Sequence, residues 1–443
     1  MRKYSIVAAV VATALWLPGQ AQSQTLEEAV TQTLMTHPRV KEAFHLYQSK
    51  QYEKDVAFAG YLPKVDADAG IGYEYTDSPG VRDGNPRSDK TLTREELGIS
   101  LRQMLFDGFK TPSNVNRTQA EADAQRYALL ANAEDIALRV TEVYLDLLRH
   151  TEIVKLSRRN LETHEQIMAD IQKRTTSGLG SSADLTQIRG RVARAYSNMT
   201  AAENNQRDAE SRFISLVNQV PSELRQPKPD ADYLPATLDD ALAKAQENNP
   251  TVISAVHDAE AARYQHQDAK SGFYPNISIE LDQNWDEDID GVRGHYEDFT
   301  AMVRLRYNLF NGGADLARSR STSALEMQAK DIHMNALRQA NEGTRLAWVA
   351  YEALGLQKEF LRQHVESGFD TVGAYKKQFS LGSRTLLDVL NTENELFEAR
   401  RSYINAEYDQ LLAEYRIMNA TGQLLDSLRF TYPEQWLASN ENE

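Results

Sequence analysis

The strongest constraint on this chain is that it repeats itself. Shifted by 212 positions, Thr25 to Pro63 aligns with Thr237 to Pro275 without a gap, and 11 of 39 positions are identical. Among them Pro38, Val40, Tyr52, Gly60 and Pro63 answer Pro250, Val252, Tyr264, Gly272 and Pro275. Unrelated stretches of that length share roughly two or three residues, so the two halves are copies of one unit. The likeness resumes where Leu105-Phe106-Asp107-Gly108 answers Leu309-Phe310-Asn311-Gly312, and again at Leu179-Gly180-Ser181 and Leu381-Gly382-Ser383. The units are 24–220 and 237–425, joined by the proline-bearing linker 221–236; the tail 426–443 receives no assignment.

Each unit reads as helix, strand, loop, strand, long helix, long helix. The opening helices end before Pro63 and Pro275, because a proline drives its predecessor out of helical geometry. Strands then follow at about 65–76 and 92–106 in the first unit, and about 277–285 and 298–310 in the second. Val65, Ala67, Ala69, Ile71, Tyr73 and Tyr75 alternate with polar or glycine residues, as do Leu97, Ile99 and Leu101, then Ile277, Ile279 and Leu281, then Val303, Leu305 and Leu309. Four strands of ~10 residues with one apolar and one polar face fit a transmembrane barrel, and a water-soluble sandwich shows the same alternation. Thr111-Pro112 offers a helix cap and a first-turn proline, and no proline recurs until Pro221. Leu129, Ala133, Ile136, Val140, Val143 and Leu147 step by four and three, as do Leu337, Ala340, Thr344, Ala347, Tyr351 and Leu354. That is a coiled-coil seam. A helix from Thr111 to about Thr176 is roughly 100 Å long at 1.5 Å per residue.

Compartment and partners follow from composition. Arg2 and Lys3 precede an apolar run from Ile6 to Leu17 and small residues at Gly19, Ala21 and Ser23, which marks 1–23 as a secretory signal peptide. There is no cysteine, hence no disulfide, thiolate metal site or lipid-bearing cysteine. No later apolar stretch approaches the ~20 residues of a membrane helix, so a membrane crossing must be a β-barrel. Four strands cannot close one, whereas three copies supply twelve. A net charge of -15 argues against nucleic acid as a partner.

The duplicated unit, the string Tyr307-Asn308-Leu309-Phe310-Asn311-Gly312-Gly313 and the string from Gly382 to Asn391 (GSRTLLDVLN) together resemble the TolC family of outer-membrane efflux and secretion proteins. The resemblance covers Thr25 to about Leu425. It implies an α+β membrane protein: a homotrimer with a shared twelve-stranded barrel in outer-membrane lipid and a long coiled-coil helical barrel across the periplasm of a Gram-negative cell. A periplasmic adaptor and an inner-membrane pump supply the energy, and the duct is not an enzyme. Its cargo is protein in type I secretion, or small toxic molecules in multidrug efflux; the missing lipidation cysteine and RTLLDVLN favour secretion. A periplasmic coiled-coil scaffold or adaptor is the competing class.

The resemblance also implies a periplasmic gate. A family arginine matches Arg384, and the aspartate it bonds at the other turn matches Asp184. The family tyrosine stands here as Phe379, without a hydroxyl. Of two aspartates forming the narrowest ring, one matches Asp388 and the other is Asn391. In the outer loop, Asp286, Asp288, Asp290, Gly291 and Glu297 satisfy a calcium-loop pattern, with hard oxygen ligands at the spacing one cation needs. Strands, not helices, flank it, and a solvated acidic turn is the other reading. No Ser-His-Asp, Walker or dinucleotide string appears, and no cofactor beyond calcium is expected.

Overall fold

A computed structural model describes residues 24–83 and 87–437. The expected signal peptide, 1–23, and the end of the tail, 438–443, lie outside the described residues. In chain order the elements are α1 (Leu26–Thr36), α2 (Pro38–Phe58), β1 (Lys64–Tyr75), the short α3 (Pro79–Arg82), β2 (Thr91–Phe106), α4 (Lys110–Thr176) and α5 (Ser182–Val217). Then come α6 (Leu238–Asn248), α7 (Pro250–Ala269), β3 (Asn276–Glu287), β4 (His295–Arg306), α8 (Ala314–Ser380), α9 (Leu386–Ala420) and α10 (Leu424–Ser427). No described helix is long and apolar enough to cross a membrane.

Matching residues start matching helices. Thr25 Oγ1 accepts from Glu28 N at 3.3 Å while Glu28 Oε2 accepts from Thr25 N at 3.1 Å, a reciprocal cap on α1. Thr237 Oγ1 accepts from Asp240 N at 3.2 Å on α6. Pro38 and Pro250 open α2 and α7, capped by His37 and Asn249. Two boundaries depart from expectation. The first long helix is capped not by Thr111 but by Asp107, whose carboxylate accepts from Lys110 N at 3.0 Å and Thr111 N at 2.7 Å. The last strand begins at His295 and stops at Arg306, short of residue 310. There Asn308 Oδ1 accepts from Phe310 N at 3.1 Å and turns the chain.

The chain divides into two compact units that differ from the sequence repeats. One comprises the stretch up to Thr33, Arg139–Asp230 and Glu352–Leu412. Its core joins Leu161 and Ile171 of α4, Ile188, Val192 and Ala195 of α5, and Leu386 and Leu390 of α9, with Phe379 of α8 packed against them. Tyr144, fully buried, clips Gln24, just ahead of α1, to the linker: its hydroxyl donates to a carbonyl, with Arg225 O at 2.6 Å and Gln24 O at 2.8 Å, and accepts from Arg225 N at 3.0 Å.

The other unit comprises Leu34–Leu138, Ala231–Tyr351 and the stretch from Ala413. Trp348, Ala241 and Ile417 form one of its cores. The tail left unassigned by the sequence is packed here as far as Trp436: Leu428, Phe430 and Trp436 are buried, next to Leu424 and Leu425 at the end of the second repeat. The sheet also belongs to this unit. All neighbours are antiparallel, in the order β1-β2-β3-β4. The register aligns Val65, Leu101, Leu281 and Ala301 in one row and Ala67, Ile99, Gln283 and Phe299 in the next. The alternating residues therefore make one continuous apolar face, and in the single chain it is bare: Tyr73 is 88% exposed and Val303 71%. A bulge between Met104 and Phe106 shifts β2 by one residue, so Phe106 rather than Leu105 pairs with Ile277.

Candidate functional site

The expected gate residues sit at two helix turns of the compact unit that holds Arg139–Asp230 and Glu352–Leu412, α4 to α5 and α8 to α9, built the same way. At the end of α4, Gly178 N donates to Thr175 O (3.1 Å) and Leu179 N to Arg174 O (2.9 Å). At the end of α8, Gly382 N donates to Phe379 O and Ser383 N to Gln378 O, both at 3.0 Å. Each pair is a Schellman cap, which needs a left-handed residue after the helix; Gly178 has φ 77° and Gly382 φ 79°. The following helices start on a hydroxyl. Ser181 Oγ accepts from Ala183 N at 3.1 Å, and Thr385 Oγ1 accepts from Asp388 N at 3.3 Å.

The turns also carry the charges. Asp388 Oδ2 accepts from Thr385 Oγ1 at 2.8 Å and Thr385 N at 3.2 Å. The Thr385 side chain, then its backbone, then Arg384 hold this carboxyl below the usual aspartate range, so it is ionised at neutral pH. Arg384 stacks on the Tyr375 ring at 4.3 Å, donates to Gln378 Oε1 at 3.1 Å and reaches Asp388 at 4.0 Å. Asp184 lies in the first turn of α5, half-buried, and does not meet Arg384 within the chain. Phe379 is not idle without a hydroxyl: Arg174 lies 5.3 Å over its ring, and the ring packs on the core joining α4, α5 and α9.

Arg191 was not singled out from the sequence. It donates from Nη2 to Asn391 Oδ1 at 2.7 Å and so ties α5 to α9 beside the Leu386 and Leu390 core. Three residues past Ile188, it shares the face of α5 that meets α9, a spacing legible once that pairing is known.

The calcium pattern is not assembled. Asp286 lies in β3, Glu297 in β4 opposite Trp285, and Asp288 and Asp290 are left-handed turn residues at φ 56° and 55°. Asp288 Oδ1 accepts from Gly294 N at 2.8 Å, Asp290 stands 3.7 Å from Arg94, and Glu297 accepts from Gln283 at 3.3 Å. Among the described residues no group of three or more His, Asp or Glu side chains is placed to hold a metal. The turn is tied instead to the other loop, with Arg293 donating to Asp89 at 2.7 Å and from its backbone to Arg87 O at 2.8 Å.

The family described as outer membrane efflux protein matches residues 29–219 and 241–423. The chain belongs to that family. It is therefore an outer-membrane protein that extends into the periplasm, of a family of efflux and export channels rather than enzymes, and the scaffold reading is set aside. Outer membrane efflux protein BepC of Brucella suis biovar 1 is 25% identical over 427 residues, covering 95% of this chain and 91% of the relative. Alkaline protease secretion protein AprF of Pseudomonas aeruginosa is 23% identical over 406 residues, covering 88% and 83%. The CmeC outer membrane channel of Campylobacter jejuni shares the fold, with a TM-score of 0.76 at 16% identity over 96% of this chain and 94% of that one.

Proposed function

We propose that the chain is one protomer of a trimeric, passive exit duct in a tripartite system for type I protein secretion, working with a periplasmic adaptor and an inner-membrane pump. The observation that carries this reading is the open sheet. β1 and β4 are both edges, and one face is bare and apolar. In lipid an unpaired edge leaves backbone groups without partners, at several kcal/mol each, so the sheet must be closed by other copies. The smallest membrane barrels have about eight strands, and three copies supply twelve. The apolar face then meets lipid and the polar face lines the duct. The tip formed by the α4–α5 and α8–α9 turns is its gate, with Asp388 contributing a carboxylate from each copy.

The likeness to AprF, a protein named for protease secretion, and the GSRTLLDVLN string support protein cargo. The name of BepC, an outer membrane efflux protein, supports efflux as the second reading. Reconstitution in planar bilayers tests the duct: single-channel steps from a detergent-stable trimer are expected, and a folded trimer that never conducts refutes it. Deleting the gene separates the cargoes. Loss of proteins from the culture medium with unchanged drug susceptibility supports secretion, and the reverse pattern supports efflux.

A further inference from the structure

The polar face of the sheet carries its charge in two blocks, and the strand register shows how sharply they divide. At the end where the strands join the helices, the first three cross-strand rows hold Arg306, then Arg304, then Lys64, Arg102 and Glu280. That is four cations against one carboxylate. Glu280 is buried among the arginines, with Arg304 at 2.5 Å, Arg306 at 2.7 Å and Arg102 at 3.2 Å, so one negative charge is shared by three positive ones. The next three rows hold Asp66 and Asp282, then Asp68 and Asp298, then Glu96 and Asp286, six carboxylates and no cation. The last two rows add Arg94 and Glu74; Arg94 bridges Glu74 at 2.6 Å and Glu96 at 2.8 Å, so one cation is set against the seven carboxylates of the outer rows. The sign of the fixed charge thus reverses between adjacent rows, at the one crossing pair Lys64–Asp66 (2.8 Å).

We propose that this reversal makes the barrel lumen a bipolar pore that rectifies ionic current, with a basic belt at its periplasmic end and an acidic band toward the outside. The inference rests on the barrel reading above. Twelve strands about 4.8 Å apart and tilted ~40° give a backbone radius of roughly 12 Å. Side chains reach inward from that wall, so the axis lies within about one Debye length of the charges at 0.1 M salt (~10 Å) and well outside it at 1 M (~3 Å).

The sign follows from the order of the blocks. Cations are the majority carrier in the acidic band and anions in the basic belt. With the outer side positive, both drift toward the junction, accumulate and raise the conductance; with the outer side negative, both drift away and deplete it. Outgoing cargo meets the same order: the belt attracts its anionic groups first, and the acidic band then repels them.

The test is the current–voltage curve of the purified full-length protein in planar bilayers, added from one chamber so that the helical portion stays on that side. In 0.1 M KCl, current at 100 mV should be at least about twofold larger with the outer side positive, and the asymmetry should fade in 1 M KCl as screening shortens. The double variant Arg304→Gln, Arg306→Gln leaves Glu280 its Arg102 partner and should bring the ratio toward one. Asp282→Asn, Asp298→Asn should do the same from the other block. The salt dependence needs no variant and holds the test open if either double variant misfolds. A conducting wild-type trimer with a symmetric curve at 0.1 M overturns the inference, as does rectification unchanged in both variants. A folded trimer that conducts nothing overturns the duct itself and this inference with it.

Discussion

Replacing Glu134 by Gln should tighten the C-terminal segment at neutral pH. Glu134 lies in α4, buried at 5% exposure. One carboxylate oxygen accepts from Leu425 N at 3.1 Å and the other from Asn419 Nδ2 at 3.3 Å. Burial raises its pKa from 4.5 to about 8; the donors at Leu425 and Asn419 pull it down by less, and Asp426 pushes it up. Because the packed state holds the proton more tightly than the open one, the contribution is full below pH 4.5 and is lost as pH rises toward about 8. Each pH unit in that window costs ~1.4 kcal/mol, so the segment should be weaker at pH 7 than at pH 5 by roughly 2–3 kcal/mol, on the order of fifty- to hundredfold in opening. In Glu134→Gln the amide oxygen keeps the bond from Leu425 N, and Asn419 need only turn its own amide to accept from the new NH2. Hydrogen exchange of residues 421–430, corrected for intrinsic rate, reads this directly. Wild type should lose protection between pH 5 and 7, and the variant should stay flat and better protected at pH 7. If the variant is instead less protected at pH 7, charged hydrogen bonds outweigh desolvation and the reasoning is wrong.

The tip offers two further predictions. Asn391→Asp would add a carboxylate to the gate, but Arg191, 2.7 Å from Asn391, would pair with it. Cation selectivity should therefore change by less than about twofold alone and rise clearly only with Arg191→Ala; an equal rise in both would show that Arg191 points elsewhere. Leu390→Ala removes a fully buried side chain from the core joining α4, α5 and α9 and should cost about 2–5 kcal/mol locally. Exchange protection at Ile188 and Val192 should fall together with that of α9, and a loss confined to α9 would contradict the shared core.

The strands and long helices could be read from the sequence because each rests on local periodicity, whereas the cap assigned to Thr111 belongs to Asp107. Val65 to Tyr75 alternate, and Leu129, Ala133, Ile136 and Val140 step along a seam the fold buries. What could not be read depends on neighbours distant in sequence. Glu134 is an ordinary helix acid until residues 419–425 close over it, and Arg191 a surface cation until α5 meets α9. The bulge at Leu105 breaks no alternation visible in β2 alone; it appears only against Ile277. The calcium-pattern residues are not grouped among the described residues for a related reason. The pattern's spacing assumes one loop wrapping a cation, whereas here strand pairing carries Asp286 and Glu297 into opposite strands.

The α4–α5 and α8–α9 turns show how far letter matching misleads when geometry repeats better than sequence. Leu179-Gly180-Ser181 and Leu381-Gly382-Ser383 match by letter, but the caps equate Gly178 with Gly382 and Ser181 with Thr385. On that register Asp184 is the counterpart of Asp388, and Arg384 falls opposite Gly180. No side chain fits there, since a Cβ would stand 2.9 Å from Thr175 N. The first turn therefore has a carboxylate and, at the position Arg384 holds in the second, a glycine in place of a cation. Within one chain Arg384 is occupied by Tyr375, Gln378 and Asp388. The bond from Arg384 to Asp184 that the family resemblance implies is therefore not made within one chain, and in the proposed trimer it would have to join neighbouring copies.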